Sequence, residues 1–172
     1  MQESAFDVNP DADQIAAITR LLGREPRGLE EVAVSGDDGS PRVIRVASLV
    51  DGKPFPTLFW LVDPELGYRI DQVEAEGLIA RLQERVDADP ELQAAMAADH
   101  RAHIALRRQH MSPAVQAEIE RLGFAGVFEE RGIGGIEDFT RIRCLHTWYA
   151  AHLVQANTIG TLLDEWFAGQ SA

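Results

Sequence analysis

The chain has 172 residues, 45% of them hydrophobic, and a formal net charge of −12. That length fits one domain with a sizeable core, and the hydrophobic content argues against disorder. The acidic balance disfavours nucleic acid and anionic membrane as partners, because phosphate surfaces need clustered cations. A single cysteine excludes an internal disulfide and fits a cytoplasmic location. The apolar runs, such as Leu58–Val62, are too short to span a bilayer, and the acidic start does not read as a signal peptide.

Asn9-Pro10 reads as an N-cap with proline at the first helical position, and Gly23 as a stop, which predicts a helix over 10–22. Three β-rich runs follow, at 31–35, 42–49 and 55–62, separated by GDDGS and Asp51-Gly52. They predict a three-stranded antiparallel meander whose middle strand is covered on both faces. After Asp63 the pattern is helical. Asp63-Pro64, Asp89-Pro90 and Ser112-Pro113 mark helix starts, Gly77 interrupts the first helical stretch, and Gly123 ends the third. Residues 124–140 read as irregular, 141–156 as a helix, 157–160 as a turn and 161–167 as a last short helix. The fold class is α+β in a single domain, 1–172: an N-terminal helix and meander over 1–62, and a helical layer over 63–172. The helix over 141–156 is apolar nearly all round, so it is predicted to lie buried across the sheet, in contact with Phe59 or Trp60.

Residues 132–152 carry the densest chemistry: a GIGG loop, then Arg141, Arg143, Cys144, His146 and His152. On an ideal helix Cys144 and His146 lie about 160° apart, and His146 and His152 about 120° apart. One helix cannot bring all three to one metal. Cys144 and His146 converge only if Cys144 precedes the helix as an N-cap. An anion site is the simpler reading. Gly134 and Gly135 let a ligand approach the backbone, the helix start supplies free N–H groups, and Arg141 and Arg143 supply charge. The same field would activate Cys144 as a nucleophile beside His146. The bland alternative pairs the two arginines with some of the 28 acidic residues and makes His152 a hydrogen-bonded core histidine. On the preceding helix, His103 and Arg107 share a face with large apolar residues, a mixture that suits a pocket wall, although a solvated charged face is the commoner case. Asp63 reads as an N-cap.

The blocks LLGREPRG (21–28), DGKPFPTLFWLVDP (51–64), the helix with His103 and Arg107, GIGGI (132–136), RIRCLH (141–146) with His152, and NTIG (157–160) resemble the bacterial family called domain of unknown function 501. The resemblance covers nearly the whole chain and brings no activity with it. It implies small cytoplasmic proteins, sometimes encoded near a cell-division protein or an exopolyphosphatase. Relatives typically carry Cys or His where this chain has Asp63, which implies a metal set of Asp63, Cys144 and His146. Relatives often have another cysteine near the first hairpin, where this chain has Ser35.

Three functions follow as expectations. The first is binding, with conversion as an extension, of a small anionic metabolite at the Gly-loop, with Cys144, His146 and His103 as catalytic groups and Arg107, Arg141 and Arg143 as ligand contacts. The second is a non-catalytic adaptor for a protein partner, linked to cell division, with an exposed apolar patch around Phe124, Val127 and Phe128. The third is metal binding by Asp63, Cys144 and His146, less favoured than the anion site.

Overall fold

The computed structural model describes residues 9–170. Helix α1 (Ala12–Leu22) starts two residues later than the Asn9-Pro10 signal implies. Asp11 is the stronger cap: it accepts from Gln14 N at 2.8 Å while the Gln14 side chain accepts from Asp11 N at 3.0 Å. Two orphan donors are thereby satisfied reciprocally. Gly23 closes the helix at φ 74°, as expected.

Strands β1 (Leu29–Ser35) and β2 (Pro41–Val46) pair antiparallel, and the sheet is completed by β5 (Phe59–Leu61) on the other side of β2. Ile44 lies opposite Val32 and Trp60, and Val43 opposite Val34 and Leu61. The predicted meander is therefore present, with shorter second and third strands. The chain between them forms its own hairpin, β3 (Leu49–Val50) with β4 (Lys53–Pro54). Its turn is Asp51-Gly52, both at positive φ. Residues 53–54 are taken into this hairpin and Pro56 lacks the N–H that a ladder needs, so the third strand does not begin at 55 and spans Phe59–Leu61.

Period-two alternation sends β2 side chains to both faces. Val43 and Phe59 join the main core, whereas Ile44, Val46 and Val62 form a second cluster with Ile18 of α1.

Helices α2 (Pro64–Ala75), α4 (Pro90–Gln109) and α5 (Pro113–Arg121) start at the three predicted caps, with proline in the first turn. Gly77, at φ 88°, separates α2 from α3 (Leu78–Asp87). The stretch expected to be irregular holds α6 (Ala125–Glu130) and a 3-10 turn over Ile133–Gly135. Helix α7 spans Leu145–Val154, not 141–156, because Cys144 is extended at φ −147°, ψ 119°. The last helix, α8 (Thr158–Gln170), is longer than expected. Asn157 is its cap rather than part of a turn, since its Oδ1 accepts from Gly160 N at 2.7 Å.

Helix α7 packs against β5 and α8, and its Trp148 is fully buried in the core cluster that holds Phe59. A small sheet gains its stability from such an apolar cover. Among the described residues no helix is long and apolar enough to cross a membrane.

Candidate metal centre

Helix α2 buries Leu66, Ile70 and Val73. One position further along the chain, Gly67, Asp71 and Glu74 repeat the same spacing. They form a second stripe beside the buried one, and it meets the start of α7.

The residues before α7 are fixed from two sides. Gln83 of α3 donates to Thr140 O at 2.9 Å and accepts from Ile142 N at 2.9 Å. Asp138 Oδ1 accepts from Thr140 N and Thr140 Oγ1. The chain therefore enters α7 extended, with Cys144 as N-cap. This is the condition under which Cys144 and His146 can meet. Cys144 Sγ stands 3.7 Å from His146 Nδ1. Glu74 reaches across from α2: its Oε1 accepts from Leu145 N at 2.7 Å and lies 3.4 Å from His146 Nδ1. The other face of the imidazole meets Asp71, with Nε2 3.0 Å from Oδ1, and Gly67 O at 3.3 Å.

The electrostatics follow from these contacts. The hydrogen bond with Cys144 raises the His146 pKa to about 9; burial opposes this, and the charges of Glu74 and Asp71 assist it. For Cys144, burial pushes the thiol up, but hydrogen bonds from His146 and Thr147 prevail and its pKa is lowered. The two shifts run in the direction that favours proton transfer from the thiol to the imidazole.

One donor atom each from Glu74, Cys144 and His146 lies within 4.8 Å of the other two. Tetrahedral zinc has bonds of about 2.3 Å to sulfur and about 2.0–2.1 Å to nitrogen and oxygen, which implies edges of about 3.6 Å for S···N and about 3.4 Å for N···O. The observed separations of 3.7 and 3.4 Å have those lengths. Asp71 on Nε2 leaves Nδ1 as the free ligand atom, the usual outer-shell arrangement of a metal-binding histidine.

Asp63 lies outside this group. Its Oδ1 caps α2 by accepting from Glu65 N and Leu66 N, and its Oδ2 pairs with Arg42 at 2.7 Å. Glu74 takes the carboxylate position that Asp63 was expected to fill. Arg141 and Arg143 are exposed on the chain leading into the site.

The glycine loop is turned inward. Gly132 N donates to Ile136 O, Gly135 N to Gly132 O and Ile136 N to Ile133 O. Ile133 N donates to His100 Nδ1 at 3.0 Å. Gly134, at φ 66°, packs on Thr147 in the first turn of α7, and a Cβ there would approach Thr147 Oγ1 to 2.7 Å. The loop supports α7 as packing.

His103 and Arg107 are buried on α4. His103 lies edge-on to Phe59. Arg107 donates to the carbonyls of Pro56, Phe128 and Arg131. His152 is a hydrogen-bonded helix-joining residue: Nδ1 accepts from Asn157 N at 3.0 Å, and Nε2 donates to Asp164 at 2.8 Å. Of the expected apolar patch, Phe128 is buried and Phe124 and Val127 are half-buried.

Sequence reasoning did not find Glu74 and Asp71. Their only signal is the stripe beside Leu66, Ile70 and Val73, and 28 acidic residues in the chain obscure it.

An α+β fold that gathers a thiol, an imidazole and a carboxylate at one helix start defines a protein with a candidate metal-binding cluster. The chain matches the family model described as "Protein of unknown function (DUF501)" over residues 32–165, and it belongs to that family. No curated protein and no solved structure matches it.

Proposed function

We propose that this protein binds a divalent transition metal, with zinc preferred, through Glu74 carboxylate, Cys144 thiolate and His146 Nδ1. The carrying observation is the spacing of the donor atoms, 3.7 Å from sulfur to nitrogen and 3.4 Å from nitrogen to oxygen. A thiolate and an imidazole together favour zinc over magnesium or calcium, which prefer all-oxygen sites. Asp71 acts as the positioning residue for His146. Three protein ligands leave a fourth position for water or substrate, where bound zinc acts as a Lewis acid and lowers the pKa of water.

The geometry favours this over the anion site at Gly134 and Gly135, because most N–H groups of that loop are already bonded within the protein. It also favours Glu74 over Asp63, whose two oxygens are committed to the α2 cap and Arg42.

Metal analysis of protein purified without added zinc tests the reading. The expected result is one zinc per chain, lost in Cys144→Ser and retained in Asp63→Asn. Asp71→Asn should weaken binding by roughly 10–100-fold, as loss of an outer-shell partner does. Metal-free protein that also fails to take up added zinc would overturn the proposal. It would leave Cys144 as a thiol of lowered pKa beside His146, whose reactivity is read from the pH dependence of its alkylation.

A further inference from the structure

A concavity lies on the sheet face covered by α1, lined by none of the Cys-His cluster residues. Ile18 of α1 covers Ile44 and Val46 there, and beyond the end of α1 at Leu22 the aromatic residues Phe55 and Trp60 remain half-buried. Their ring centroids are 5.6 Å apart with planes inclined at 55°. They line a cleft of about 400 Å³ together with Arg24, Arg27, Asp51 and Lys53. That volume lies in the range of small-molecule sites.

The charge of the cleft is opposite to that of the chain. The protein has 28 acidic and 16 basic residues, yet this lining has three cations to one carboxylate, and Lys53 is the chain's single lysine. Among the described residues neither Arg24 nor Lys53 forms an ion pair. Arg27 pairs only with Asp51, at 3.1 Å, with both side chains more than two-thirds exposed. Such an exposed pair is weak and readily displaced. The fold builds the arrangement at two tight turns: Gly23 ends α1 just before Arg24, and the Asp51-Gly52 turn presents Lys53.

We propose that this cleft binds a nucleotide, with the base against Phe55 and Trp60 and the phosphates between Arg24, Arg27 and Lys53. Aromatic faces accept any base by stacking, and unpaired cations supply the phosphate contacts. A mononucleotide suits the cleft better than a polynucleotide, because cations are concentrated at one point in a chain of net charge −12 and form no extended track. Asp51 opposes the ligand's charge while holding Arg27, so it limits affinity.

Calorimetric titration of the full chain with ADP, pyrophosphate, adenosine and thymidine oligonucleotides of two lengths tests this. The expected result is sub-millimolar ADP binding, with pyrophosphate and adenosine each roughly 10-fold weaker because each lacks one half of the contacts. Lys53→Ala should weaken ADP binding by roughly 10-fold. Asp51→Asn should strengthen it, and asparagine keeps the positive-φ turn. ADP binding should persist in Cys144→Ser, which separates this site from the metal cluster. Absence of ADP binding at millimolar concentration, pyrophosphate binding equal to ADP, affinity that grows with oligonucleotide length, or indifference to Lys53→Ala would each overturn the proposal.

Discussion

Glu74 caps helix α7 with the same oxygen that faces His146: Oε1 accepts from Leu145 N at 2.7 Å and stands 3.4 Å from Nδ1. A carboxylate at a helix start satisfies an orphan N–H and complements the helix dipole. The candidate metal cluster is therefore built on a structural contact between α2 and α7, and the capping and proposed ligand roles can be separated by substitution.

Glu74→Ala removes cap and ligand together and should lower stability by about 1–2 kcal/mol, the usual cost of a lost cap. Glu74→Gln retains a carbonyl acceptor for Leu145 N and should stay within about 0.5–1 kcal/mol of the parent, but it supplies a poorer ligand. Urea denaturation of the zinc-free proteins, with zinc titration of each, checks the split. Equal destabilisation by both variants would mean that the charge, not the acceptor, holds α7.

Two motif glycines are explained by histidines. A Cβ on Gly132 would lie 2.1 Å from His100 Nδ1, and one on Gly160 would lie 2.1 Å from His152 Cγ. Neither ring can yield freely, since His100 stacks on Phe139 and holds Ile133 N, and His152 bridges Asn157 and Asp164. Gly132→Ala and Gly160→Ala should each cost about 3 kcal/mol, at the upper end for overpacking. Gly126→Ala is the control. Its nearest neighbour would be 3.9 Å away within α6, so it should gain up to about 1 kcal/mol from helix propensity. Thermal melts of the three variants check the contrast.

The same glycines show what could be read from the sequence. The GIGG loop stood out, and its position beside α7 followed from chain order. Its purpose did not, because His100 lies on α4 and nothing local links it to Gly132. Helix starts at Asp63, Asp89 and Ser112 were legible because cap and proline signals are local. The start of α7 was not: Gln83 holds Ile142 N from another helix, so Cys144 stays extended although its local sequence suits a helix. The Cys144–His146 half of the site was therefore conditional on an N-cap geometry that tertiary contacts supply. Glu74 and Asp71 could not be chosen from among so many carboxylates.

Acid should destabilise the fold through α4. Burial lowers the pKa of His100 to about 4, and burial, then the charges of Arg107 and His100, lower that of His103 to about 3. Both lie below the unfolded value of about 6.5. Below that value the unfolded chain takes up protons that the folded chain refuses, so stability is complete near neutrality and falls from about pH 6.5 to about pH 4 for His100 and about pH 3 for His103. At about pH 5 the loss is on the order of 2 kcal/mol per histidine. Urea melts across this range, in a Cys144→Ser background to exclude metal release, should show the decline, and His103→Gln should flatten it. An unchanged slope in His103→Gln would show that this residue is protonated in the folded state.

Arg107 holds three backbone carbonyls through its two terminal nitrogens. It is fully buried, with no carboxylate among its hydrogen-bond partners, and it donates to Pro56 O at 2.9 Å and to Phe128 O at 2.7 Å, with Arg131 O as a third acceptor. It thereby ties the loop before β5, helix α6 and the approach to the glycine turn to α4. Burial lowers its pKa to about 10, which still leaves it charged at neutral pH. Arg107→Ala strips one buried carbonyl, of Phe128, and two part-buried ones, of Pro56 and Arg131, of their donor and should cost about 3–5 kcal/mol, the range for breaking a buried charged network. Arg107→Lys restores the charge but not the planar fork that spans separated acceptors, so it should recover only part of the loss. Arg108→Ala, next in sequence and exposed, should stay within about 0.5 kcal/mol of the parent. Equilibrium denaturation of the three variants separates the cases. A full recovery by lysine would show that charge alone is required at this position, and a mild Arg107→Ala would show that water replaces the guanidinium.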